Sequence, residues 1–246
     1  MRAAPPPSLS ELPRLIGLSV SRETWERLVL FAELVLRWNA GVRLIARADE
    51  PKLWSRHILD SLQLLPLILS YTKGVIDLGS GAGFPGIVLA IAGAPSVTLV
   101  EADERKAAFL REAARRTSTP VVVHAGRIEH FHRVQWDIVP TLPFEVAKGP
   151  QTTADTRRFD AATLANPIAV TARGLAALSA LLRYSYPLLR GSGYCIFPKG
   201  QQAEAELTQA EAAWHMRVER FPSRISLRST ILRISEIEPV GNHPSR

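Results

Sequence analysis

The residues able to do chemistry concentrate in one stretch, Val75-Ile76-Asp77-Leu78-Gly79-Ser80-Gly81-Ala82-Gly83-Phe84-Pro85-Gly86. A short apolar run ends in a carboxylate, and four glycines follow within eight residues. Glycine admits positive φ and the close approach of a ligand. The order predicts a strand, a tight loop and a helix start. Pro85 suits the first helical turn, where a missing N–H costs nothing, and the helix N-terminus would aim free N–H groups into the loop. Two ligand classes use such a loop. Gly81-x-Gly83-x-x-Gly86 fits the dinucleotide fingerprint, and Asp77-x-Gly79-x-Gly81-x-Gly83 fits the loop of S-adenosylmethionine (AdoMet) methyltransferases. A carboxylate at the strand end repels a pyrophosphate. It attracts the sulfonium and ammonium of AdoMet, whose own carboxylate suits the helix N-terminus. Asp77 therefore favours AdoMet, against a ligand-free glycine-rich turn.

Further candidates follow at the spacing of a nucleoside site. Glu101 ends the next apolar run, about twenty residues beyond the glycines, where an acid accepts hydrogen bonds from ribose hydroxyls; the alternative is a surface Glu capping the following helix. Ile128-Glu129 follows the third apolar run, where adenine would lie. Backbone N–H groups there can meet a ring nitrogen, and Glu129 can accept from the exocyclic amine. His57 and Asp60 lie three apart on one helix face, with Ser61 at i+4. They form either a lid over the cofactor or a hydrogen-bonded structural anchor. Arg105, Lys106, Arg111, Arg115 and Arg116 make a basic helix that either contacts phosphate or is a solvated face. Lys199 and Lys148 are further cationic candidates. Six His and one Cys without clustered ligand spacing imply no metal site.

The elements that must position these residues alternate strand and helix from Gly74 onward, which predicts a parallel sheet covered on both faces. Strands are expected at 75–78, 97–100, 121–124, 168–171, 194–197, 217–221 and 231–237, with helices at 86–92, 104–116, 176–189 and 201–213. Upstream, Ser21 to Asn39 predicts an amphipathic helix with Ser21 as N-cap, Gly41 just past its end, and Trp25, Leu28, Val29, Ala32, Val35 and Leu36 as its apolar stripe. A second helix is expected from Pro51. Residues 1–20 are expected to be a flexible lead-in, 21–70 a helical extension, and 71–246 the main domain, with an insertion near 132–167. The 246 residues are 46% apolar and carry a net charge of +7, which suggests an anionic partner such as nucleic acid. No run approaches a membrane span. The first ten residues lack the apolar stretch of a secretory signal. The single Cys195 excludes an internal disulfide and fits a reducing cytoplasm.

Several stretches resemble the bacterial 16S rRNA guanine-N7 methyltransferases of the RsmG (GidB) type. Trp54-Ser55-Arg56-His57-Ile58-Leu59-Asp60-Ser61-Leu62 resembles the family's W-x-x-H-x-x-D-S-L helix, and Asp77 to Gly86 its D-x-G-[ST]-G-A-G-F-P-G loop. Val97-Thr98-Leu99-Val100-Glu101, Gly126-Arg127-Ile128-Glu129, Thr171-Ala172-Arg173-Gly174-Leu175-Ala176 and Lys199-Gly200 are similar to its later motifs. The resemblance implies a class I AdoMet-dependent methyltransferase, a Rossmann-like α/β fold with a mostly parallel seven-stranded sheet and an N-terminal helical extension. It implies a guanosine of 16S rRNA as acceptor, within the small ribosomal subunit or as free rRNA; the sequence shows no extra dimerisation element, so a monomer is expected. By motif match Gly79, Phe84, Ile128 and Glu129 fall at AdoMet positions, and Arg173 at the active-site arginine. His57, Asp60 and Lys199 become substrate-side candidates. Guanine N7 carries an exposed lone pair, so direct displacement at the methyl needs no general base. Arg173 would hold guanine O6 or a flanking phosphate, unless it only pairs with Glu101 or Asp77.

Two features depart from the family. Thr171 lies 42 positions after Glu129, across a stretch containing Trp136, Lys148, Arg157 and Arg158, with two candidate fourth strands, Phe159–Thr163 and Ile168–Thr171. Arg43-Leu44-Ile45 stands where N-L-T is usual, after a matching Trp38-Asn39. Asn166-Pro167-Ile168-Ala169 partly matches the N-P-P-aromatic motif of amino-group methyltransferases. An N6-adenine or glutamine methyltransferase, a dehydrogenase and a non-catalytic ribosome-assembly factor therefore remain as alternative readings.

Overall fold

The computed structural model describes residues 4–68, 72–131, 168–189 and 193–241. Seven strands form one sheet in the order β3-β2-β1-β4-β5-β7-β6. They are β1 (Gly74–Leu78), β2 (Val97–Glu101), β3 (Val121–Ala125), β4 (Ile168–Ala172), β5 (Tyr194–Lys199), β6 (Trp214–Pro222) and β7 (Thr230–Pro239). The first five run parallel, and β7 closes the sheet antiparallel to both β5 and β6. The strand order reverses at β1, which lies between β2 and β4. In such sheets the crevice for a ligand opens at the carboxyl ends of the strands at this switch point.

β1 is buried along its whole length, and its successive side chains feed opposite layers. Val75 joins a core that includes Leu28 and Phe31 of α2 (Arg22–Val42), Ile87 of α4 (Gly86–Ile91) and Phe109 of α5 (Glu104–Arg116). Ile76 and Leu78 join the opposite layer, with Leu181 of α7 (Leu178–Leu189) and Leu207 of α8 (Ala203–Glu211). The upstream helices therefore share a core with the sheet.

The upstream elements differ in detail from the sequence expectation. Ser21 does cap α2, its hydroxyl accepting from Thr24 N. The helix passes through Gly41, however, and ends where Arg43 takes a left-handed conformation at φ 50°. Residues 9–16 are not a loose lead-in: α1 (Leu12–Ile16) buries Leu12 and Ile16 in the core. Pro51 lies inside a 3₁₀ turn, Arg47–Lys52, and the next helix is π-helical from Leu53 to Leu59 before the α-helical turn α3 (Asp60–Leu62). The family's usual N-L-T is replaced, yet Asn39 still ties this region together. It accepts from Ile45 N and donates to Glu50 Oε1. Of the two candidate fourth strands, Ile168–Ala172 pairs with both β1 and β5. Phe159–Thr163 lies outside the described residues, as do the rest of 132–167 and with it Trp136, Lys148, Arg157, Arg158 and Asn166-Pro167.

Candidate active site

The glycine loop is organised from beneath by Asp77. Its carboxylate is fully buried, with Oδ1 accepting from Thr171 Oγ1 at 3.0 Å and Oδ2 from Gly86 N at 3.1 Å. Burial pushes its pKa up to about 6, against the pull of these hydrogen bonds. The register that sets Asp77 opposite Thr171 makes the first contact possible. The absence of a side chain at Gly86 makes the second: a Cβ there would stand 2.6 Å from Asp77 Oδ2 and 2.3 Å from Leu99 Cδ2. Asp77 was expected to meet a cationic cofactor directly; instead it caps α4 and ties β1 to β4. Pro85 likewise lies just before α4 and not within it.

Glu101 holds the loop from the side. Oε2 accepts from Gly81 N at 2.7 Å and Oε1 from Asp103 N at 2.9 Å. The helix-capping alternative for Glu101 is met by Asp103, whose carboxylate accepts from Arg105 N and Lys106 N. Glu101, Gly79, Gly81, Ile128, Glu129 and Tyr184 line a cleft of about 480 Å³, within the range of about 300–1,000 Å³ usual for small-ligand sites. Gly79 has φ +64°, a left-handed conformation that side chains rarely adopt, so the cradle depends on a glycine. Ile128 and Glu129 lie on the short helix α6 (Ile128–Phe131), and Tyr184 Oη approaches Glu129 Oε1 at 3.5 Å. Tyr184 had no sequence signal, because α7 reaches the cleft only by packing on the sheet. Gly83 and Phe84 do not line this cleft. A Cβ on Gly83 would meet Ile87, and the buried Phe84 ring packs on Phe31 and His57 with centroids 5.4 and 5.0 Å apart.

A second, larger cleft of about 1160 Å³ adjoins the first. Lys52, Arg56, His57, Asp60 and Lys199 are among its walls. The two clefts share Arg173, Gly174, Leu175 and Ala176, the segment immediately after β4. Arg173 does not pair with Glu101 or Asp77. Its guanidinium donates to Arg56 O at 2.8 Å, meets His57 Nδ1 at 2.6 Å and Asp60 Oδ2 at 3.5 Å, and lies 5.3 Å from the centre of the Phe84 ring. The guanidinium can only donate, so His57 Nδ1 is the acceptor and the imidazole proton sits on Nε2. Nε2 is buried without a hydrogen-bond partner, 3.8 Å from Asp49 Oδ2. Burial, and secondly the neighbouring Arg173, drive the His57 pKa down to about 4, so the ring is neutral at pH 7. Burial raises the Asp60 pKa, and Arg173 opposes that rise. His57 and Asp60 are thus a seat for Arg173, while Ser61 turns its hydroxyl to His57 O.

Lys199 anchors the other end of the shared segment. Its ammonium donates to Ala176 O at 3.0 Å and to Glu206 Oε2 at 2.8 Å, and the same Glu206 oxygen accepts from Leu178 N at 2.6 Å. Glu206 carries no sequence signal for the site; the packing of α8 against α7 and β6 places it there. On the basic helix, Arg105 and Arg115 pair with Asp103 and Glu112, whereas Lys106 lines the smaller cleft. Among the described residues no group of His, Cys, Asp and Glu is arranged to hold a metal, and no helix is long and apolar enough to cross a membrane.

A family model described as rRNA small subunit methyltransferase G matches residues 24–141. A protein of Rhodospirillum centenum named "Ribosomal RNA small subunit methyltransferase G" is 45% identical over 96% of this chain and 95% of its own length. A protein of the same name from Granulibacter bethesdensis is 47% identical over 91% of each. An O-methyltransferase from Bacillus cereus, solved in complex with SAH, superposes with a TM-score of 0.50 at 14% identity, over 83% of this chain and 90% of that one. The last likeness speaks to the fold alone.

Proposed function

The chain belongs to the rRNA small subunit methyltransferase G family, and from that premise we propose that it transfers the methyl group of AdoMet to N7 of a guanosine in 16S rRNA. The observation that carries the assignment of roles is the shared wall: the smaller cleft suits a nucleoside cofactor, the larger an RNA base, and Arg173 faces both. AdoMet supplies an electrophilic methyl group on a cationic sulfur. The residues present fit it. Gly79 and Gly81 leave the loop open, Glu101 keeps free lone pairs beyond its two backbone contacts, and Glu129 adds a second acceptor. Asp77, Gly83 and Phe84 act beneath the surface, shaping the loop and backing the arginine.

The acceptor nitrogen brings its own lone pair, so no residue needs to remove a proton before transfer. What remains is alignment. Arg173 is held by neutral His57, Arg56 O and Asp60 in one orientation, ready to donate to guanine O6 or a phosphate. Lys199, through Ala176 O, fixes the far end of the same segment and is a positioning residue. Lys52 and Arg56 rim the larger cleft with positive charge suited to an RNA backbone. The dinucleotide reading loses support because Asp77 already occupies the Gly86 N–H that a pyrophosphate would use. The same proposal makes the protein a cytoplasmic, metal-free monomer acting on rRNA or the small subunit, with residues 21–70 as an extension of a 71–246 methyltransferase domain.

The test is transfer of label from methyl-labelled AdoMet to small ribosomal subunits and to purified 16S rRNA, with the product mapped by base. A single 7-methylguanine is expected. Label on an exocyclic amine would favour the amino-group alternative, and AdoMet binding without transfer the assembly-factor alternative.

A further inference from the structure

The segment between the two clefts contains an anomaly. Leu175 is a large apolar side chain left 37% exposed, and it lines both clefts. Its tip leans on the glycine loop, with Cδ1 2.7 Å and Cδ2 3.2 Å from where a Cβ of Gly79 would stand. Both flanks of Leu175 are pinned. Arg173 is bonded to His57 and Arg56 O, while Ala176 O is held by Lys199 and Leu178 N by Glu206. Between the pins lies Gly174 at φ +64°, with open space where a side chain would be. Gly174 is thus the unpinned joint of this wall, and Leu175 is the large apolar side chain that follows it. Its side chain rests against Gly79 on the floor of the cofactor cleft.

We propose that Leu175 couples the two ligands: cofactor seated over Gly79 displaces its side chain into the acceptor cleft, where it becomes the apolar platform for the incoming purine. An aromatic base gains from such a surface, and water is kept from the region between the clefts. Cofactor and RNA then bind with positive cooperativity, and by linkage each must raise the affinity for the other by the same factor. Leu175 is a positioning residue on this account, and the inference rests on the assignment of the two clefts made above.

The experiment measures binding of small ribosomal subunits by the full chain with and without saturating S-adenosylhomocysteine, and S-adenosylhomocysteine binding with and without subunits. For the wild type, a reciprocal tightening of roughly fivefold or more is expected, the lower end of usual coupling. Leu175→Ala should still bind each ligand alone, with the coupling factor falling to within about twofold of one. Leu175→Met, similar in volume and apolar, should keep most of the coupling and shows that truncation and not misfolding is read out. A wild type that binds both ligands independently overturns the inference, as does Leu175→Ala with undiminished coupling. A wild type that binds neither ligand overturns the proposed function and, with it, this inference.

Discussion

The cofactor side and the acceptor side of this site are built by different means. The glycine loop is mostly local. Asp77 reaches Gly86, nine residues on, and Glu101 at the end of β2 reaches Gly81, twenty residues back; a distant tie joins Asp77 to Thr171, 94 residues on. The acceptor side is assembled from afar. Arg173 meets groups 113 to 117 residues away in the upstream helix, and it is backed by Phe84 of the loop itself. The first has no room for a Cβ at Gly86, so small volume changes should destroy it. Side-chain hydrogen bonds shape the second, so it should fail by degrees.

The sharpest way to break that contrast is Gly86→Ala. Its Cβ would drive into Asp77 and Leu99, whose positions in the sheet leave little room to yield. A stability loss of about 3 kcal/mol, at the upper end for overpacking, is expected by chemical denaturation, together with loss of AdoMet binding. Gly81→Val should also lose AdoMet binding, but for another reason. The space about Gly81 is open, and the cost lies in forcing a β-branched residue to φ +56°. An intact cofactor site in either variant would remove the distinction between the two sides.

On the acceptor side, Arg173→Ala should leave the AdoMet dissociation constant within about threefold while kcat falls by roughly 100-fold or more, as when a pre-aimed donor is removed. Normal turnover would deny Arg173 its role. Lys199→Met should act one step further out, lowering kcat on the order of tenfold by loosening Ala176, with the same product base in the mapping assay. The smallest effect is the pH response. The His57 pKa is driven down to about 4, so His57 should contribute no ionisation to kcat between pH 6 and 8. The depressed pKa also gives stability that is complete above the ordinary His value of 6.5 and is lost as the pH falls toward 4. Asp77, with its pKa raised to about 6, has the opposite sign: its contribution is fullest below 3.8 and is lost as the pH rises through 6. His57→Asn, whose amide oxygen can replace Nδ1 as acceptor, should keep more activity than His57→Leu. A pH–rate profile with a step near 6.5 that vanishes in His57→Asn would contradict a neutral seat.

Periodicity and punctuation determined the alternating sheet, the helix 104–116 and the place of the loop, because each depends on residues close in sequence. The spacing of Gly79, Gly81, Glu101, Ile128 and Glu129 likewise marked out residues at one crevice, since parallel strands bring successive carboxyl ends together, whereas Asp77, Gly83 and Phe84 fall beneath it. The sequence by itself also determined which residue types were available: one carboxylate at the β1 end, and one arginine just past β4. Tertiary structure alone decided their work. Only the 77–171 register turns Asp77 inward, only the packing of the upstream helix on the sheet brings His57 and Asp60 to Arg173, and only α8 brings Glu206 to Lys199. The partner of a charged side chain is chosen by burial and distance in three dimensions, and spacing encodes neither, whether the two residues lie 7, 94 or 113 positions apart.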